Sequence, residues 1–153
     1  MRVFGAVRID APDDWTELVD ETPEPGVGPT TLTRNRAHGG AFQLSVARYV
    51  TGPRPSADDR TLAEILVEWG GERGLVLTRP TITGVGDRLV AEASYVGDEF
   101  AGAAWAIFHQ GSFVFATYFA GRDFERGAEE LAACRAMVRS MEVSEHVPPA
   151  LEG

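Results

Sequence analysis

Along the first ten positions apolar and polar residues alternate. Val3, Gly5, Val7 and Ile9 stand against polar or small neighbours, a period of two that predicts a strand over residues 2–10. Pro12-Asp13-Asp14-Trp15 predicts a turn, because proline fixes its own φ and aspartate favours local turns. Residues 16–29, rich in proline, glycine and acid, predict an exposed loop. Residues 30–36 and 42–50 predict a hairpin joined through Gly39-Gly40. In its second strand Phe42, Leu44, Val46 and Val50 point one way, with Arg48 interrupting. Gln43, Ser45, Ala47 and Tyr49 point the other, so one face is buried and one partly wet.

The period then changes. After Gly52-Pro53-Arg54-Pro55, Ser56 precedes Asp59 by three residues, an N-cap arrangement close to a capping box. Leu62, Ile65, Leu66 and Trp69 follow at i, i+3, i+4 and i+7, one apolar helical stripe that Gly70-Gly71 and Gly74 bring to an end. Residues 75–82 read as a strand broken by Pro80, which suits an edge or a bulge. Residues 88–96 place Leu89, Ala91, Ala93 and Tyr95 on one face and Arg88, Glu92 and Ser94 on the other. After a turn at Gly97-Asp98-Glu99, two aromatic-rich strands fill residues 101–120 around Gln110-Gly111. Both are apolar on both faces, the mark of central strands. A last helix over about 124–140 stacks Phe124, Leu131, Cys134, Val138 and Met141 on one stripe, with Glu125, Arg126, Glu129, Glu130, Arg135 and Arg139 opposite. The order predicts one α+β domain over residues 1–143, an antiparallel sheet of six to seven strands with two main helices packed on it. Residues 144–153 form a loose tail.

Charge narrows the function. All 14 basic residues are arginine, against 23 acidic residues and a net charge of −9. Phosphate backbones and anionic membrane surfaces repel such a chain, so nucleic acid is excluded as an expected partner. Without lysine there is no Schiff-base chemistry, no P-loop lysine and no Ser-Lys dyad. No apolar run approaches the roughly 18–20 residues that span a bilayer, so no membrane insertion is expected. The N-terminus reads as a strand instead of a signal peptide. The single cysteine, Cys134, fits a reducing compartment. The expected location is cytoplasmic.

Candidate chemistry is sparse. His38, His109 and His146 lie far apart and carry no metal-ligand spacing, so neither metal nor cofactor is expected. Cys134 sits on an apolar stripe and reads as a small core hydrophobe. Adjacent carboxylates at Asp13-Asp14, Asp58-Asp59, Asp98-Glu99 and Glu129-Glu130 read as solvated. Asp13-Asp14 beside Trp15 and Asp98-Glu99 beside Phe100 have the better claim to a raised pKa. Gly26-Val27-Gly28 and Gly84-Val85-Gly86 lack the strand-then-helix setting of a dinucleotide fingerprint. Among the tryptophans, Trp15 is expected to be partly exposed, and Trp69 and Trp105 to be core.

A strand leading into Ala11-Pro12-x-x-Trp15, a paired middle, and a final aromatic strand feeding Phe124 and a helix closing on Ser140 resemble the Mog/PsbP-like sandwich superfamily. The resemblance spans about residues 3–143. That superfamily includes Mog, PsbP, lipoproteins of the LpqN and DcrB kind, and Eag-type secretion chaperones. It implies a binding or accessory role with no shared active site, so no catalytic residue is carried over. The leading expectation is a non-enzymatic factor (chaperone, immunity or secretion-associated) that binds a protein partner, a basic one or a secreted effector. Its candidate contacts are Asp13, Asp14, Trp15, Glu17, Asp20, Glu21 and Glu24. The alternative is a small-ligand-binding protein or minor enzyme, with a pocket between sheet and helices near Trp105, His109 and Tyr118. A homodimer through an exposed sheet face is a third expectation.

Overall fold

The computed structural model describes residues 2–4, 7–17, 30–34, 40–48, 59–86, 88–109 and 112–143. The strands are β1 (Arg2–Phe4), β2 (Val7–Ile9), β3 (Thr16–Glu17), β4 (Thr30–Thr33), β5 (Ala41–Arg48), β6 (Thr81–Val85), β7 (Arg88–Val96), β8 (Phe100–His109), β9 (Ser112–Gly121) and β10 (Glu142–Val143). The helices are α1 (Asp59–Glu72) and α2 (Gly127–Ser140). A seven-stranded antiparallel sheet runs β3-β4-β5-β9-β8-β7-β6, and a small three-stranded sheet runs β1-β2-β10. The architecture is α+β, with the two helices packed on the larger sheet as the sequence predicts.

β8 and β9 hold the centre, paired from Phe100↔Gly121 to His109↔Ser112. Strand geometry sends alternate side chains to opposite faces. On one face Ala103, Trp105 and Ile107 meet Val114, Ala116 and Tyr118, and with Phe42 and Leu44 of β5 they pack against Val7, Ile9, Trp15 and Cys134, Met137 and Val138 of α2. Trp105 meets Phe42 edge-on at 6.0 Å between ring centroids. Its indole N–H donates to Glu92 Oε1 at 2.6 Å, which Arg135 of α2 also reaches at 3.0 Å. On the other face Ala91, Ala93, Ala104 and Ala106 form a small-residue floor on which Leu62 and Leu66 of α1 rest. Short side chains there let the helix approach the sheet closely.

Local chemistry sets the ends of these elements. Gly74, at φ +65°, follows α1 in the left-handed conformation. Leu75 N–H donates to Gly70 O at 2.9 Å and Gly74 N–H to Gly71 O at 3.2 Å, a Schellman closure that satisfies the last carbonyls. At the end of α2, Asp10 N–H donates to Ser140 Oγ, and Ser140 Oγ donates to Met137 O, both at 2.8 Å. Arg88 donates to Met141 O. These bonds join the small sheet and β7 to the end of α2.

Four expectations change. Residues 2–10 are not one strand: the chain reverses between Phe4 and Val7, and β2 pairs with both β1 and β10 in a sheet of its own. The register sets Phe4 opposite Val7 and Val3 opposite Arg8, so the alternation changes phase at the reversal, which an unbroken odd-numbered apolar series does not reveal. The strand expected at residues 75–82 begins only at Thr81. Upstream of Pro80, which has no N–H to give, Leu77 makes an isolated bridge to Tyr95 and Thr78 N–H donates to Ser94 O at 2.9 Å. α2 starts at Gly127 instead of 124, because turns around Gly121–Phe124 and Phe124–Gly127 come first. Within it, Glu130 belongs to the buried face, not the wet one. The expected turn at Gln110-Gly111, the Ser56 cap, most of the 16–29 loop and the 144–153 tail lie outside the described residues.

Gly102 marks the tightest point of the sheet. A Cβ there would lie 1.8 Å from Tyr118 O and 2.9 Å from Tyr95 Oη. Around Gly71, on α1, a Cβ would meet nothing within 4 Å. Gly102→Ala is therefore expected to destabilise by roughly 1–3 kcal/mol or more, and Gly71→Ala to stabilise by about 0.5–1 kcal/mol. Urea unfolding of the two variants checks both signs, and an unchanged midpoint for Gly102→Ala would refute the close-approach account.

Candidate functional site

Among the described residues two concavities stand out, one on each face of the large sheet. The first is a polar cleft of about 610 Å³ lined by Asp14, Arg34, Asp123, Phe124, Glu125, Arg126 and Glu130. It is built where three segments converge. The Pro12–Trp15 turn, closed by Trp15 N–H to Pro12 O at 3.1 Å, buries the Trp15 ring and leaves Asp13 and Asp14 outside. β4 ends at Arg34, whose Nε reaches Asp14 Oδ2 at 2.9 Å and whose Nη2 reaches Glu129 Oε1 at 2.8 Å. The Glu129 hydrogen bond, with both acids close by, raises the guanidinium pKa above its ordinary value. Asp14 and Glu129 are exposed, so each pair contributes little stability, but the two bonds fix Arg34 between turn and helix.

Glu130 forms the floor of this cleft and is only 1% exposed. Its Oε1 accepts from the Gly40 N–H at 2.9 Å and from the Tyr118 hydroxyl at 2.8 Å. The carbonyl of Tyr118 in turn accepts from the Tyr95 hydroxyl at 2.8 Å, across Gly102. One buried carboxylate thus ties α2 to β9 and to the approach to β5. Burial, then the Glu130 bond, raises the Tyr118 pKa, and burial pushes Tyr95 up to about 12. Burial, then the charge of Glu130, raises the Cys134 thiol as well. A thiol held protonated in a sealed core is packing, not a nucleophile.

The second concavity lies on the α1 face. α1 crosses the β6-β7-β8 half of the sheet, and beside it β9 and β5 present Phe115, Thr117, Phe119, Gln43 and Ser45 to a groove of about 490 Å³. Trp69 forms the wall on the helix side, 5.4 Å from Phe115 and 5.7 Å from Tyr95 between ring centroids. The Arg73 guanidinium lies 4.9 Å from the Trp69 ring centroid. At one end Phe100, 50% exposed, meets Phe119 edge-on at 6.1 Å.

The residues singled out from sequence scatter across these features. Asp13, Asp14 and Glu17 are exposed, and Asp14 enters the Arg34 cluster. Trp15, expected to be partly exposed, is 1% exposed and anchors the core, so its turn can present only its acids. Asp20, Glu21 and Glu24 lie outside the described residues. Trp105 and Tyr118 share one sheet face with His109 but are core side chains, and His109 is buried at the end of the pair where β8 hands over to β9. Neither concavity is lined by any of these three. Among the described residues no group of three or more His, Cys, Asp or Glu side chains converges to hold a metal, and no helix is long and apolar enough to cross a membrane. Sequence reasoning missed Arg34, Glu130 and the aromatic groove. The available signal for the groove was arithmetic: a single helical stripe cannot cover one face of a six- or seven-stranded sheet.

No protein-family model and no curated protein matches the sequence. Solved structures do. Cyanobacterial PsbP from Synechocystis is similar at a TM-score of 0.58 and 12% identity, over 92% of this chain and 94% of that one. Mog1, in a mutant form, is similar at 0.58 and 13%, over 97% and 95%. LpqN, described as involved in cell envelope biogenesis of Mycobacterium tuberculosis, is similar at 0.50 and 15%, over 90% and 83%. The chain also spans about half the length of a Bacteroides thetaiotaomicron protein, covering 47% of it at a TM-score of 0.57 and 11% identity. The chain has the Mog/PsbP-like fold.

Two outcomes follow from the buried network. Glu130→Ala leaves the Gly40 N–H and the Tyr118 hydroxyl without their acceptor, and should cost roughly 2–4 kcal/mol in chemical unfolding, well above the effect of the exposed Glu129→Ala. A loss no larger than that of Glu129→Ala would remove Glu130 from its central place. The tyrosines and Cys134 also set an alkaline limit. Their folded pKa values are raised, so their contribution is complete below the unfolded values, about 9 for the thiol and 10 for the phenols, and is lost as pH rises through the folded ones. Unfolding free energy should hold level from these groups up to about pH 9 and fall towards pH 12. Tyr95→Phe should start lower and fall less steeply.

Proposed function

We propose that this chain is a non-enzymatic accessory factor that binds another protein, and that the aromatic groove beside α1 is its contact surface. The observation that carries this reading is the uneven cover of the large sheet. Among the described residues one face packs against α2 and the small sheet, whereas on the other α1 leaves Phe115, Thr117 and Phe119 beside a half-exposed Phe100. Apolar surface concentrated in a groove with a polar rim is characteristic of interaction sites, and aromatic side chains dominate binding energy at such sites. The buried chemistry supports the same reading. The inward carboxylate, Glu130, is committed to two hydrogen bonds within the fold, and the thiol is sealed. Likeness to accessory proteins such as PsbP adds support from fold alone. The acids Asp13, Asp14 and Glu17 lie exposed at the surface and would favour the approach of a basic partner.

The test is quantitative affinity capture from the host extract with the wild-type chain and with a Phe100→Asp/Ser45→Arg variant. Both substitutions fall on groove residues outside the sealed core, so thermal melting of the variant should match wild type closely. A stoichiometric protein should be recovered by the wild type, with recovery reduced at least about tenfold in the variant, the loss that removing one interface aromatic of about 1.4 kcal/mol would give. Recovery of no stoichiometric protein, or equal recovery by the variant, would count against the proposal.

A further inference from the structure

β6 is an outer strand of the seven-stranded sheet, and among the described residues it pairs only with β7. Its sequence, Thr81-Ile82-Thr83-Gly84-Val85, has no charged side chain, in a chain whose net charge is −9. Outer strands are usually guarded by charge, by bulges or by proline. Here Pro80 guards one end and nothing within the strand guards the rest.

The parity of the β6–β7 hairpin shows what the free side offers. Val85 and Arg88 close a two-residue connection in which Gly86 has φ +61°. In such a hairpin the closing pair exchanges both of its hydrogen bonds, and bonded and non-bonded pairs then alternate along the ladder. Thr81, Thr83 and Val85 therefore turn their backbone groups towards β7, and Ile82 and Gly84 turn theirs outward. Two donors and two acceptors line the free side in an alternating row. Beside Gly84 the space is open, and a Cβ there would meet nothing within 4 Å. Ile82, partly buried against the α1-side core, stands on the same sheet face two positions earlier.

We propose that β6 pairs with β6 of a second copy of this chain, antiparallel, about a two-fold axis at Thr83. In that register Ile82 stands opposite Gly84 of the second copy, and Gly84 opposite its Ile82. Each pair exchanges two N–H···O=C bonds, so four form. The large side chain of each Ile82 covers the empty space beside the opposing glycine. Thr83 meets its own counterpart as a non-bonded pair, the closest side-chain approach in an antiparallel ladder. No like charges face each other across the five-residue strand, so the pairing escapes the repulsion that the rest of the surface imposes. The two seven-stranded sheets become one continuous sheet. This edge is separate from the groove beside α1, so the two readings stand or fall independently.

Sedimentation velocity of the full chain over a concentration series should show a reversible monomer–dimer equilibrium. Thr83→Cys should oxidise in air to a disulfide-linked dimer, because the non-bonded pair holds its Cα atoms about 4.5 Å apart, within disulfide reach. Thr81→Cys should not, because the two copies of residue 81 are offset by four residues, about 13 Å along the strand. The native Cys134 is buried and does not compete. Gly84→Lys adds charge and fills the space meant for Ile82, while meeting nothing within its own chain. It should melt like wild type and remain monomeric. A chain that stays monomeric at every concentration, equal cross-linking of the two cysteine variants, or a dimer that survives Gly84→Lys would each overturn the proposal.

Discussion

The ladder between β8 and β9 supplies both cores of the molecule, and the other layers take their places from it. Its ten residue pairs send Trp105, Ile107, Val114 and Tyr118 to one face and Ala104, Ala106 and Phe115 to the other. The two sets differ in size, and that difference decides what packs where. Large side chains fill the space beneath α2 and the small sheet. Alanines on the opposite face bring α1 down close, over β7 and β8. Removing apolar area from water drives both contacts, at about 25 cal/mol per Å².

Among the described residues cover is fuller on one face than on the other. α2, β2 and the Trp15 turn close their side together, and hydrogen bonds through Ser140 and Arg88 fasten Asp10 and Met141 there. α1 is a single helix about 10 Å wide on a sheet whose strands stand about 4.8 Å apart, so it covers only part of its face. The groove beside it and the uncharged β6 edge are therefore consequences of architecture. At both, the described residues leave apolar surface or backbone polarity without cover.

The acids divide in the same way. Asp13, Asp14, Glu17 and Glu129 are exposed to water. Glu130 is not: it is held by a backbone N–H and a phenol inside the α2 face, next to Cys134. Arg34 bridges the two populations, bonding Asp14 and Glu129 at the mouth of the cleft whose floor is Glu130. Surface charge shapes association, whereas the buried carboxylate fixes how α2 sits on the sheet.

Sequence periodicity was enough to place β4, β5, β7, β8, β9 and both helices, because each buries one defined face and its apolar spacing follows from the geometry of that face. Composition was enough to set the acidity and to remove lysine chemistry. What depends on distant neighbours was not legible. The spacing of Val3, Val7 and Ile9 reads as one straight strand, and only the pairing of β2 with β1 and with the distant β10 selects the small sheet. Glu130 reads as a surface acid beside Glu129 until Tyr118 and Gly40 arrive to bond it. Trp15 reads as exposed beside two aspartates until α2 and β2 close over it. The sequence by itself determined where β4, β5, β7, β8, β9 and the two helices lie and most of the faces they bury, since these are local consequences of spacing. Only the tertiary structure decided which carboxylate is inside and, among the described residues, which aromatics line a groove and which strands stand at the sheet edges, since each depends on segments far apart in the chain.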